Sequence, residues 1–159
     1  MFDQAIEVIL KNEGGYVDHP NDPGGETNFG ISKRSYPDVD IKNMTKQQAK
    51  EIYKSDFWNP LKLHLINNAN ICLDIFDMAV NSGRGRAVKI AQKLAGTKED
   101  GGMGAITAKA INEYKGDFVK DYKHSRRVFY EHLADTNSKY KVFLKGWSNR
   151  IDDCYFLNV

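Results

Sequence analysis

A chain of 159 residues is the length of one ordinary domain and long enough to bury a core without disulfide or metal staples. Lysine and arginine number 23 against 21 aspartate and glutamate, a net charge of +2, which excludes the strong cationic footprint of a nucleic-acid-binding protein and gives no pull toward an acidic partner. The longest apolar runs fall far short of the roughly 18–20 residues that span a bilayer, and the first residues lack the basic start and apolar stretch of a signal peptide. The expectation is a chain made in the cytoplasm, with no nucleic-acid partner and no stable membrane insertion.

Phe2, Ala5, Ile6 and Ile9 recur at helical spacing, with Asp3 suited to the first turn, and Gly14-Gly15 stops the pattern, so the first helix ends close to Glu13. From Tyr16 to Tyr36 the helical period disappears. Pro20, Pro23 and Gly24-Gly25 force turns there, which predicts a loop with a small β-hairpin. Thr45 and Gln48 form a capping-box signature, and Ala49, Ile52, Tyr53 and Phe57 carry an apolar face up to Trp58, before Pro60 breaks it.

Ile71, Ile75, Phe76, Met78 and Ala79 mark a helix closed by Asn81-Ser82-Gly83, and Ala87, Ile90, Ala91 and Leu94 mark another ended by Gly96. The turn cluster Thr97 to Thr107 separates these from three further helical patterns: Ile106 to Tyr114, Phe118 to Leu133, and Phe143 to Cys154. The resulting fold class is mainly α with a minor β element. Cys72 and Cys154 each fall on the buried phase of a helix, which favours reduced core thiols over a bridge.

The stretch NEGGYVDHPNDPGGETNFGIS, from Asn12 to Ser32, follows the first helix and holds four carboxylates among seven glycines and prolines. Gly25 and Gly30 have the spacing of a phosphate loop, but Ile31 stands where the lysine belongs. Asp18 and Asp22 begin like a calcium loop, yet Pro23 occupies the glycine position and no bidentate glutamate follows. His19, His64, His124 and His132 lack metal-ligand spacing, and no exposed serine or cysteine nucleophile is evident. Carboxylate chemistry is what remains, with no cofactor and no metal implied.

A glycosidase needs a carboxylic acid to protonate the leaving oxygen and a second group to position water or stabilise positive charge. Glu13, at the end of an apolar helix, suits the first role, since partial desolvation keeps a carboxyl protonated more readily. Asp22 and Thr27 on the adjoining loop suit the second, and Asp18 is a nearby rival of Asp22. Spacing alone leaves open a plainer alternative, in which Glu13 ends a helix and Asp22 makes a turn.

The segment EGGYVDHPNDPGGETNFGIS closely resembles the signature of glycoside hydrolase family 108, the N-acetylmuramidases found as phage endolysins and in bacterial genomes. DMAVNSG (Asp77 to Gly83), AQKLAGTKEDGGMG with Thr107, and FLKGWSNRI (Phe143 to Ile151) resemble three further blocks of that family, so nearly the whole chain is covered. The extra glycine in DGGMG is a departure at one turn.

The resemblance implies a lysozyme-like α+β fold. It implies a catalytic region over 1–95 and a C-terminal peptidoglycan-binding-type helical region over 96–159, packed as one compact unit. Glu13 is then the general acid, with Asp22 and Thr27 as electrostatic partner and water holder. The Glu, Asp, Thr order is similar to that of phage lysozymes, where the Asp-to-Thr gap is one residue longer, and it tilts the expected mechanism toward inversion.

Asn81 in the matching block is expected to contact sugar. Asp77 is a further substrate-binding candidate, on a polar stripe with Asp74 at i, i+3 and i+7 that ends on Asn81 and could face the same cleft, although a solvated helix face is the plainer reading. Tyr16 and Phe29 are candidates for stacking on sugar rings, as are Tyr36 and Trp58, although such aromatics are more often core. Trp147 and Arg150 read as structural, through packing and a local ion pair; Lys89, Lys93, Arg126 and Arg127 read as solvated faces. The implied partner is bacterial peptidoglycan, the expected state a monomer, and the expected route to the wall a holin-type release or secretion. A lytic transglycosylase, a chitinase-like glycosidase and a non-catalytic wall-binding module are the alternatives.

Overall fold

The computed structural model describes residues 1–18 and 24–155, and these form two compact units, Met1–Asp56 and Phe57–Val159. His19, Pro20, Asn21, Asp22 and Pro23 lie outside the described residues, so the catalytic expectation for Asp22 does too.

In the first unit, helix α1 (Phe2–Asn12) buries Ala5, Ile6 and Ile9 and ends on Glu13, whose extended backbone (φ −84°, ψ 128°) closes the helix while its N–H donates to the Ile9 carbonyl. Strands β1 (Thr27–Asn28) and β2 (Ile31–Ser32) pair antiparallel with Thr27 opposite Ser32 and Asn28 opposite Ile31. That register leaves Phe29 and Gly30 as a two-residue loop, and both have positive φ, 53° and 79°, the type I′ geometry that suits strand twist. The expected small hairpin is therefore present.

Helix α2 (Lys46–Tyr53) starts with the full capping box: the Thr45 hydroxyl accepts from Gln48 N–H, and the Gln48 side chain accepts from Thr45 N–H. Lys46 and Lys50 on α2 both reach Glu7 on α1, at 2.8 and 2.7 Å. The α-helix is shorter than the apolar pattern suggests. It gives way after Tyr53 to a π-helical turn, Lys54–Trp58, with i→i+5 bonding, ahead of Pro60.

The second unit is helical. Helix α3 (Ala69–Ser82) is capped by the Asn68 side chain and buried without interruption from Ile71 to Ala79. It packs on α4 (Arg84–Ala95) and α6 (Phe118–Thr136); α5 (Ala105–Asn112) packs on α4, and α7 (Leu144–Asp152) on α6. Gly96 ends α4 in the left-handed conformation, as a helix-closing glycine does.

The Thr97 to Thr107 turn is organised by buried Gln92. Its amide donates to Asp100, to the Gly102 carbonyl and to the Thr107 hydroxyl, and its oxygen accepts from Gly101 N–H. Cys72 and Cys154 are free and buried, and burial pushes the Cys72 thiol up to about 12.

Three expectations are corrected in this unit: the solvated face for Asp74 and Asp77, the solvated face for Arg126, and the local ion pair for Arg150. Asp74 and Asp77 do not form a solvated face; both carboxylates are fully buried. Arg126 is buried with them, its two terminal nitrogens donating at 2.6 Å to Asp74 and at 2.6 Å to Asp77. Lys123 adds a second cation to Asp74 at 2.8 Å, and Arg150 a second to Asp77 at 2.9 Å. A helical stripe of acids reads the same whether water or a distant arginine faces it, and here the partners lie 49 to 73 positions further along the chain. The Arg150 ion pair is for that reason long-range and not local.

Burial pushes the Asp74 carboxyl up, and Arg126 and Lys123 pull it back. With both cations within 2.8 Å the ionised carboxylate is the form the site is built for, while Asp77 and Asp74 hold Arg126 charged above its ordinary value against the cost of its burial.

Candidate active site

Glu13 sits where the rigid end of α1 meets the turn-rich segment, and it is half-buried. It lines an open depression of about 450 Å³ in the first unit together with Glu7, Leu10, Gly15, Phe29 and Lys46. A larger groove of about 540 Å³ lies between α4 and α6, but no carboxylate lines it. A carboxylate also lines two depressions of the second unit, Glu131 in one and Asp117 in the other; what sets Glu13 apart is its place at a helix end against the Gly30 turn. Glu7 on the rim is held below its ordinary carboxylate value by hydrogen bonds from Lys46 and Lys50, so it remains ionised and tied up with two lysines.

The wall behind Glu13 is backbone. A Cβ placed on Gly30 would stand 2.5 Å from Glu13 Oε2, 2.7 Å from its carboxyl carbon and 2.7 Å from the Tyr53 hydroxyl oxygen. Only a residue without a side chain allows the turn to approach the carboxylate so closely. Tyr53, the last residue of α2 and 2% exposed, donates its hydroxyl to the Phe29 carbonyl at 2.7 Å. Phe29 itself holds a left-handed φ of 53°, which costs a bulky L-residue roughly 1–2 kcal/mol. Such strain is found at functional sites, where the surroundings enforce it.

Thr27 is half-buried on β1, and its backbone exchanges both hydrogen bonds with Val17, N–H to O at 2.8 and 2.9 Å. This bridge lays the segment after Glu13 alongside the hairpin. Asn28, the next residue, is buried and donates to the Ile41 carbonyl, so Thr27 presents its side chain to the other face. Asp18, the rival of Asp22, is exposed one residue beyond the bridge. Tyr16 is 40% exposed and donates its hydroxyl to Glu26 at 2.6 Å, which raises its pKa to about 12.

A scan against family models matches the description Glycosyl hydrolase 108 to residues 6–83 and a second, "Predicted Peptidoglycan domain", to residues 86–152. Twelve solved chains match as well; one, described as the structure of Brucella abortus SagA, is 32% identical with a TM-score of 0.81 and covers 95% of this chain and 89% of its own. The chain belongs to the glycosyl hydrolase 108 family. It is a glycoside hydrolase with a peptidoglycan-binding region, and its mainly α, lysozyme-like fold with a small hairpin is the one the family resemblance implies. No curated protein matches the sequence.

The family match over 6–83 contains Glu13, Thr27, Phe29, Gly30, Tyr53, Asp77 and Asn81. In the first unit the structure brings Glu13, Gly30, Phe29 and Tyr53 together. In the second, Asn81 is half-buried at the end of α3, its amide nitrogen donating to Tyr130 and its oxygen facing Arg150 at 3.5 Å. Asp77 grips that same Arg150 through Nε at 3.0 Å. Tyr130 also meets the Ser82 hydroxyl at 2.9 Å and stacks on Trp147, ring centroids 4.5 Å apart.

Sequence reasoning missed Gly30, Tyr53, Glu26, Arg126 and Tyr130. For Gly30 a signal exists, since a glycine between two short β-prone pairs marks a hairpin turn. For Tyr53, on an apolar helix face, nothing distinguishes a hydroxyl that reaches the turn from ordinary core.

Proposed function

We propose that this glycoside hydrolase is a metal-independent N-acetylmuramidase that cleaves the β-1,4 bond between N-acetylmuramic acid and N-acetylglucosamine. The observation that carries the reading is Glu13: a half-buried carboxyl at a helix end, lining an open depression and backed by the Gly30 turn. Glu13 acts as general acid. Asp22 and Thr27 serve as electrostatic partner and water holder, with Asp18 as the alternative to Asp22.

Phe29, on the rim of the depression, and the exposed Tyr16 ring stack on sugars. Asn81 contacts the glycan, and Asp77 contributes by holding Arg150 against it. The group order favours inversion, with carboxyl groups roughly 6.5–9.5 Å apart. The biological role we propose is that of a monomeric phage or prophage endolysin, made in the cytoplasm and reaching the wall by holin-type release or secretion.

The test is release of reducing ends from purified sacculi, with mass spectrometry of the products. Glu13→Gln keeps size and polarity but removes the transferable proton, so the rate falls about 10²–10⁴-fold with the fold intact. Near-normal lysis by that variant sinks the assignment. Anhydro-muramyl ends identify a lytic transglycosylase instead, preferential cleavage of chitin oligomers a chitinase-like enzyme, and binding without new reducing ends a wall-binding module.

A further inference from the structure

Two side chains from different helices meet the hairpin turn at one point. A single position, that of a Cβ on Gly30, lies 2.5 Å from Glu13 Oε2 and 2.7 Å from the Tyr53 hydroxyl oxygen, so carboxylate and phenol crowd the same face of the turn. The phenol also holds the turn directly, donating to the Phe29 carbonyl at 2.7 Å. Its ring has no freedom to leave, being 2% exposed at the end of α2.

The helix that carries it is itself tied down. The Thr45 and Gln48 capping box holds its start, and Lys46 and Lys50 join it to Glu7 on α1, the helix that ends on Glu13. Carboxylate, turn and phenol are thus parts of one frame within the first unit.

The turn needs such a tie because its first residue is the wrong type for its conformation. Asparagine or glycine adopts a left-handed φ readily, whereas Phe29 at 53° is strained and gains from any rearrangement that returns it to negative φ. Such a rearrangement would carry Gly30 away from Glu13 and open further rotamers to the carboxylate. We propose that Tyr53 is a positioning residue for Glu13, its hydroxyl holding the strained Phe29–Gly30 turn as the wall that fixes the carboxylate. This rests on the reading of Glu13 as the proton donor. Tyr53 touches neither sugar nor proton in this scheme; it acts through the turn.

Tyr53→Phe keeps the buried ring and deletes only the hydroxyl. The expected result is a folded protein whose kcat on purified sacculi falls about 10- to 100-fold, the scale of a displacement near 1 Å at the reacting group, with KM little changed. The carbon-13 resonance of the Glu13 carboxyl at fixed pH shifts as well, a local readout that a merely structural role would not move.

A double-mutant cycle supplies the decisive comparison. Phe29→Asn creates the Asn-Gly pair that adopts this turn unaided, so in that background Tyr53→Phe costs several-fold less kcat than in the Phe29 protein. Wild-type kcat and an unshifted Glu13 carboxyl resonance in Tyr53→Phe overturn the inference. So does an equal loss in both backgrounds, or a Tyr53→Phe protein that no longer folds. Glu13→Gln is measured alongside: if it stays active the functional reading fails, whereas if it is inactive and Tyr53→Phe is unaffected only the positioning role fails.

Discussion

The Glu13 carboxylate rests on the backbone of Gly30, with no space between them for a methyl group: a Cβ on Gly30 would stand 2.5 Å from Oε2. Gly30 also holds a φ of 79°, so any L side chain there is strained twice, by conformation and by contact.

Gly30→Ala is therefore expected to remove most of the activity while the fold persists. The left-handed φ costs roughly 1–2 kcal/mol, which for a chain of this size lowers the melting temperature by about 2–8 °C. The displaced carboxylate costs on the order of 100-fold in rate. Gly85→Ala, outside the depression, is the steric comparison, since a Cβ there meets nothing within 4 Å. Reducing-end release and a thermal melt of both variants check this; equal activity of the two proteins refutes it.

The Asp74, Asp77 and Arg126 cluster yields a stability prediction. Arg126→Met removes the cation shared by two fully buried carboxylates, leaving charge that Lys123 and Arg150 compensate only in part. Breaking such a pair from one side costs about 3–5 kcal/mol, a large share of the stability of an ordinary domain. By contrast, Arg127 pairs with Asp152 at the surface, and Arg127→Ala is worth about 0–1 kcal/mol. Urea unfolding of the two variants separates the cases, and similar midpoints for both would contradict the buried network.

The hydroxyl of Tyr16 supplies a pH dependence with a definite sign. Its hydrogen bond to Glu26 raises the pKa from the ordinary 10.0 to about 12. A raised folded-state value means that the bond contributes in full below pH 10 and is lost as pH rises through about 12. Carbon-13 tyrosine NMR should place the Tyr16 midpoint near 12, and Glu26→Gln should return it toward 10. A midpoint near 10 in the unaltered protein is the contrary result.

Gly146 lies inside α7, and a Cβ there meets nothing within 4 Å. Gly146→Ala is expected to stabilise the protein by about 0.4–1 kcal/mol through the reduced entropy of the unfolded chain. An unchanged or lower urea midpoint argues against it.

Local chemistry made much of the fold and part of the site legible. Thr45 with Gln48 starts a helix because two orphan amides are satisfied within four residues, and Gly83 and Gly96 end helices for similarly local reasons. The position of Glu13 at the end of α1 follows from apolar spacing and the glycines after it. These features depend on neighbours a few positions apart, so a single sequence contains them. The motif blocks were likewise sufficient for the family.

What only the tertiary structure decided is which side chains face each other across long stretches of chain. Asp74 and Asp77 recur at the spacing of a solvated stripe, yet their partners Arg126 and Arg150 come from other helices and exclude water from both carboxylates. Tyr53 reads as core, and its hydroxyl becomes meaningful only when folding sets it against a turn 24 positions earlier. Helical periodicity reports that a face is covered or polar. It is silent on the partner that covers it, because that partner is chosen by packing.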